Sequence, residues 1–258
     1  MTAALACLAL APHPDDAEIC CGGLLASLAA RGYDVGILDL TAGELATQGT
    51  PEQRAEESRL AAEALGLGVR ENLGLPDGGL DAGDREQLAQ LVGALRRLRP
   101  ELVLAPYREA RHPDHVAASA LAERAVFFCG LRRFDAPGAH APFRPRALLS
   151  YQMRVALRPS FVVDISAHVE AKRTAIRAHA SQIARDPARA VPSPDGPSGT
   201  TVSSPSLLEQ LDARDRYFGA MIGATHGEPY LAAQALPVAD PVALLRGGGA
   251  PLFFPGKD

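Results

Sequence analysis

Two short stretches of this sequence concentrate side chains that bind cations or move protons. Residues 11–23 read A-P-H-P-D-D-A-E-I-C-C-G-G, which sets His13, Asp15 and Asp16 directly after an apolar run. Residues 111–115 read R-H-P-D-H, which sets His112, Asp114 and His115 after a second one. Carboxylates gathered at the buried end of a strand are costly unless a cation or hydrogen bonds compensate them. Imidazole and carboxylate together suit zinc, and a catalytic zinc commonly keeps three protein ligands and one exchangeable position. His13 and Asp16 from the first stretch, with His115 from the second, supply such a set. Taken alone, each stretch also reads as a turn with an aspartate capping the next helix. Two such clusters, each closing a strand and opening a helix, favour one shared metal per chain.

The elements that position them follow from periodicity and turn chemistry. Apolar runs alternate with amphipathic stretches, the pattern of a parallel sheet covered by helices. Leu5 to Ala11 reads as the first strand, 17–31 as a helix ending at Gly32, and Val35 to Leu40 as the second strand. In T-P-E-Q, Thr50 is an N-cap with Pro51 behind it, and that helix runs to about Leu65. A third strand near 69–75 meets the turn P-D-G-G, after which Asp84 caps a helix running to Arg99. Leu102 to Ala105 is the fourth strand, and an alanine-rich helix from the R-H-P-D-H loop reaches Cys129. Strands at 147–152 and 161–165 and a helix from Ser166 to about Ile183 complete the pattern. Residues 186–206, rich in Pro, Ser, Gly and Thr, read as a long mobile loop. The expected architecture is one α/β domain spanning 1–258, a Rossmann-like, open, mostly parallel sheet with helices on both faces. In such a sheet both clusters fall at the carboxyl edge, where ligands bind.

Composition narrows the function classes. A mean hydropathy near zero and the lack of any apolar run of spanning length point to no membrane association. The first residues lack the basic segment of a signal peptide and read as a strand, which makes the cytoplasm the expected location. A net charge of −4 provides no global field to recruit nucleic acid. Cys7, Cys20, Cys21 and Cys129 form no C-x-x-C pair and read as reduced core thiols.

P-H-P-D-D near the start with H-P-D-H after a later strand resembles the zinc-dependent N-acetylglucosamine deacetylases of the LmbE/PIG-L superfamily. D-L-T-A-G-E-L-A-T-Q-G-T at 39–50, the arginine of P-E-Q-R-A-E-E, L-P-D-G-G-L at 75–80 and P-S-F-V-V-D-I-S at 159–166 extend the likeness over about residues 5–230. These connecting segments resemble the branch that deacetylates N-acetylglucosaminyl L-malate in bacillithiol biosynthesis. The chain departs from the family in having Pro12 where Ala is usual, and in T-H-G-E-P-Y at 225–230, which leaves the roles of His226 and Tyr230 open.

The resemblance implies hydrolysis of an acetamide, with one Zn2+ per chain. Asp15, beside the ligand Asp16, is the implied general base and later proton donor to the amine. His112 is the implied donor to the oxyanion, with Asp114 orienting it. Arg54 and Arg111 are candidates for the malate carboxylates, and Glu44 for sugar hydroxyls. A solvated helix face for Arg54 and an unpartnered loop carboxylate for Glu44 are the alternatives. His168 and His179 read as packed or surface residues on one helix, and His140 as solvated. The implied partners are a small glucosaminide and other copies of the chain in a homo-oligomer, a hexamer among the options. Another N-acetylglucosamine conjugate, or a thiol conjugate's amide, is an alternative substrate. A non-enzymatic nucleotide- or sugar-binding module is weakened because Gly22 and Gly23 fall after Asp16, outside any G-x-G-x-x-G turn.

Overall fold

The computed structural model describes residues 4–46, 48–183 and 206–240. Among them, seven strands form one sheet: β1 (Cys7–Ala11), β2 (Val35–Thr41), β3 (Val69–Leu75), β4 (Leu102–Pro106), β5 (Ala147–Tyr151), β6 (Phe161–Asp164) and β7 (Gly227–Ala232). Six α-helices cover it: α1 (Asp16–Ala30), α2 (Pro51–Leu65), α3 (Arg85–Leu98), α4 (Pro113–Phe128), α5 (Val169–Ala178) and α6 (Leu207–Ala220). The strand order is β3-β2-β1-β4-β5-β7-β6. The first five strands in that order are parallel, and β7 runs antiparallel between β5 and β6.

The pleat divides the core between two helical layers. Along β1, Leu8 and Leu10 face one cluster, where Leu88, Leu91 and Leu95 of α3 and Leu121 of α4 pack. Cys7, Ala9 and Ala11 face the other, against Cys21 and Leu25 of α1 and Ala61 and Leu65 of α2. This alternation is what period-two side-chain geometry requires of a strand buried on both faces. All four cysteines are buried and free, as the sequence indicated.

Two helix starts follow the sequence signals closely. Thr50 accepts a hydrogen bond from Gln53 N at 3.2 Å with Pro51 in the first turn, and Asp84 caps α3 through Glu86 and Gln87. The expected helix from Ser166 to Ile183 is shorter: a 3₁₀ turn at Ser166–His168 leads into α5, which ends at Ala178 because His179 leaves helical geometry. Apart from Ser206, which precedes α6, the expected 186–206 loop lies outside the described residues.

Helix α6 and strand β7 were not read from the sequence. They are fastened to α1 by a buried charge cluster. Lys172 Nζ donates to Asp215 at 2.6 Å and to Glu228 at 2.8 Å, and all three side chains are nearly inaccessible. Glu228 also accepts from the amides of Gly23 and Leu24, each at 2.8 Å, and from the Tyr230 hydroxyl at 2.9 Å. Gly23 has no room for a side chain there, since a Cβ would sit 2.8 Å from Ile165.

Candidate metal centre

Strands β1 and β4 are neighbours, and β1 is where the strand order reverses, so the loops that follow them open onto one crevice. The first loop, residues 12–15, is fixed carbonyl by carbonyl. Pro12 O accepts from Thr41 N and Oγ1, His13 O from Asp16 N, and Pro14 O from Arg54 Nη2 at 2.8 Å. Asp15 is held at φ 127°, ψ −27°, a backbone region that side-chain-bearing residues rarely adopt. Such a conformation costs on the order of 1–3 kcal/mol and persists only where its surroundings enforce it. Asp15 makes no side-chain cap bond to α1, so capping does not account for it.

Three ligand atoms converge. His13 Nδ1 lies 3.3 Å from Asp16 Oδ2 and 3.3 Å from His115 Nε2, and His115 Nε2 lies 3.2 Å from Asp16 Oδ2. A tetrahedral zinc with bonds of roughly 2.0–2.1 Å separates its ligand atoms by about 3.3 Å. The triangle therefore already has the edge length of one face of such a site. His13, Asp16 and His115, the set expected from the sequence, are the residues that would hold a cation.

A second ring of groups orients the first. His13 Nε2 faces Asp77 Oδ1 at 3.0 Å and Asp114 Oδ2 at 3.3 Å, the carboxylate support usual behind a metal-binding imidazole. Asp77 is clamped in turn, accepting from Leu45 N at 2.9 Å while its own amide donates to Glu44 Oε1 at 2.8 Å. Asp114 also accepts from Gly78 N at 2.7 Å and Leu80 N at 3.3 Å. Its carboxylate is thus bound to His13 and the turn after β3, whereas the expectation was that it would orient His112. Glu44 holds the Asp77 turn and does not line the cavity. Asp77 itself was missed, since P-D-G-G signals only a turn.

Electrostatics match a cation site. Burial works against charge on His13, yet hydrogen bonds to Asp16 and Asp77 outweigh it and push the ring up to about 11. Burial likewise opposes charge on Asp16, but the imidazoles of His115 and His13 hold its carboxyl well below the usual range. Asp15, buried and next to the charge of Asp16, is raised to about 7. Burial, then the neighbouring His13 and His115, lowers His112. Its Nδ1 accepts the Asp114 amide at 3.2 Å, so the neutral ring carries its proton on Nε2.

A cavity of about 550 Å³ opens over these groups and includes Asp15, Arg111 and His112 in its wall. Arg54 reaches this cavity but is buried, with Nη1 donating to Gly43 O at 2.6 Å and Nη2 to Pro14 O. Its guanidinium joins the β2–α2 loop to the Asp15 loop, neither exposed on a helix face nor offering its fork to a ligand.

A family model described as PIG-L, GlcNAc-PI de-N-acetylase, matches residues 8–126. The diacetylchitobiose deacetylase of Thermococcus kodakarensis is 33% identical over 189 residues, covering 69% of this chain and 70% of that protein. The chain belongs to the PIG-L/LmbE deacetylase family. Its PIG-L fold is also that of the conserved protein TT1542 from Thermus thermophilus, at a TM-score of 0.80 and 42% identity, covering 91% of this chain and 98% of that one. A further PIG-L/LmbE relative, from Bacillus cereus, is named a probable N-acetyl-alpha-D-glucosaminyl L-malate deacetylase 2; it is 29% identical, covering 68% of this chain and 82% of that protein.

Two residues left open by the sequence lie outside the cavity wall of this PIG-L/LmbE protein. His226 Nε2 meets Asp212 Oδ1 at 2.9 Å, and the Tyr230 hydroxyl donates to Glu228. His179 is fully buried, with Nε2 2.8 Å from Glu18 Oε1. Among the described residues no helix is long and apolar enough to cross a membrane.

Proposed function

We propose that this protein is a zinc-dependent hydrolase that removes the N-acetyl group from a small N-acetylglucosaminide. The observation that carries the reading is the triangle of His13 Nδ1, Asp16 Oδ2 and His115 Nε2, set in a cavity beside a strained Asp15. Bound zinc supplies Lewis acidity toward the acyl oxygen and acidifies water. The chain's own groups do the rest. Asp15 accepts the proton of the attacking water and returns it to the departing amine, so that proton count balances over the cycle. His112 donates its Nε2–H to the oxygen that becomes negative as the carbonyl is attacked. Asp77 and Asp114 keep the His13 ring turned so that Nδ1 faces Asp16 and His115.

For the substrate, we propose N-acetylglucosaminyl L-malate, the step belonging to bacillithiol biosynthesis. The Bacillus cereus relative and the 39–50 and 159–166 segments support this choice. In this reading Arg111, exposed on the cavity wall ahead of His112, meets a malate carboxylate. The test is an amine-release assay on a panel holding N-acetylglucosaminyl malate, diacetylchitobiose and an N-acetylglucosaminyl inositol. Highest kcat/KM on the malate conjugate is expected. Release from another conjugate alone would leave the deacetylase and remove malate, and no release from any of them would overturn the hydrolase.

A further inference from the structure

The cavity wall divides by charge. Among the described residues its acids, Asp15, Asp16 and Asp77, all stand at the metal triangle, and the rest of the wall carries arginines, glutamines and apolar side chains. The arginines differ in how they are engaged. Arg54 is spent on two carbonyls, and Arg214 donates to Ile19 O at 2.7 Å and to Asp215 at 3.0 Å. Arg154 makes no hydrogen bond or ion pair with the described residues, whereas Arg111 is engaged. Arg154 is also presented by a fixed turn. The buried Gln152 accepts from Leu157 N at 3.1 Å, which closes residues 152–157 and leaves Arg154 exposed at the cavity wall. A guanidinium without a counter-charge among the described residues, facing a cavity whose described acids are confined to its metal end, attracts an anion.

We infer that Arg154 is a specificity-determining residue: it pairs with an anionic group, a carboxylate or a phosphate, on the part of the substrate beyond the acetylated sugar. This rests on the deacetylase reading above and adds a residue and a charge to it. The charge lies away from the scissile bond, so Arg154 sets which glucosaminide is taken and has no part in the bond-breaking step.

The experiment compares kcat/KM for N-acetylglucosaminyl malate with that for methyl N-acetylglucosaminide, in the wild type and in R154Q, R154K and R154E. The exposed position of Arg154 lets these variants fold. The anionic-to-neutral ratio should fall about fivefold to fiftyfold in R154Q, between the effect of an exposed ion pair and that of a sequestered charge-assisted hydrogen bond. R154E should lower it further, R154K should restore part of it, and added salt should erode the wild-type ratio. An unchanged ratio in R154Q and R154E, with the wild type active, would overturn the role of Arg154 and leave the deacetylase standing. No amine release by the wild type from either substrate would overturn both.

Discussion

Replacing Asp114 with alanine separates two accounts of that residue. Its carboxylate is almost inaccessible and serves Gly78 N at 2.7 Å, Leu80 N at 3.3 Å and His13 Nε2 at 3.3 Å. Truncation leaves the buried Leu80 amide without its acceptor, at about 1–3 kcal/mol, while the amide of the exposed Gly78 turns to water at little cost. Water entering the vacated volume recovers part of that and the lost His13 contact adds to it, so a net loss of roughly 1–3 kcal/mol is expected. For a chain of this size that is a fall in Tm of about 2–6 °C, read by thermal unfolding of the metal-free protein. Metal affinity should drop about tenfold to a hundredfold, as when the support behind a ligand is removed, since Asp77 alone then steadies His13. Had Asp114 oriented His112 instead, Asp114→Ala would lower kcat while metal affinity and Tm stayed at their wild-type values. That outcome, in a chelator-competition titration run beside the melt, would refute the geometry argued above.

Further predictions follow from the same contacts. Asp15→Asn should keep its metal and its fold while kcat falls about 10²- to 10⁴-fold, because the amide cannot accept the proton of the attacking water; unchanged kcat would remove Asp15 from the chemistry. Arg54→Lys cannot span Gly43 O and Pro14 O as the guanidinium fork does. Turnover should fall by the same factor on every N-acetylglucosaminide, and a loss confined to the malate conjugate would show that Arg54 binds substrate. Lys172→Met leaves Asp215 and Glu228 buried without their cation, and chemical denaturation should show about 3–5 kcal/mol less stability. An unaltered denaturation midpoint would mean that this cluster does not hold α6 and β7 to α1.

The parts of the site legible in the sequence are those carried by local signals. His13, Asp16 and His115 each follow an apolar strand and open a helix, so the parallel-sheet rule alone brings their loops together at the β1–β4 crevice. Asp77 follows β3, two strands away from β1, and reaches His13 only because Glu44 and Leu45 clamp its turn inward. No spacing along the chain carries that information. Arg54 has the pattern of a helix-surface arginine, and its burial depends on Gly43, which sits at φ 65° where a Cβ would collide with the guanidinium. Strand β7 was obscured by Pro229, a residue that argues against an inner strand. It is tolerated because pairing with β5 stops at Tyr230, so Pro229 has only β6 beside it. Lys172 and Glu228 carry no local signal of burial, and each becomes the other's compensation only once α5 and β7 are placed together.

The central claim is that His13, Asp16 and His115 hold one divalent cation. The measurement that tests it most directly is elemental analysis of the purified wild type and of His115→Ala, both after dialysis against zinc. About one zinc per wild-type chain is expected, and a small fraction of that in the variant. Equal, near-stoichiometric zinc in both proteins, or none in the wild type, would contradict it.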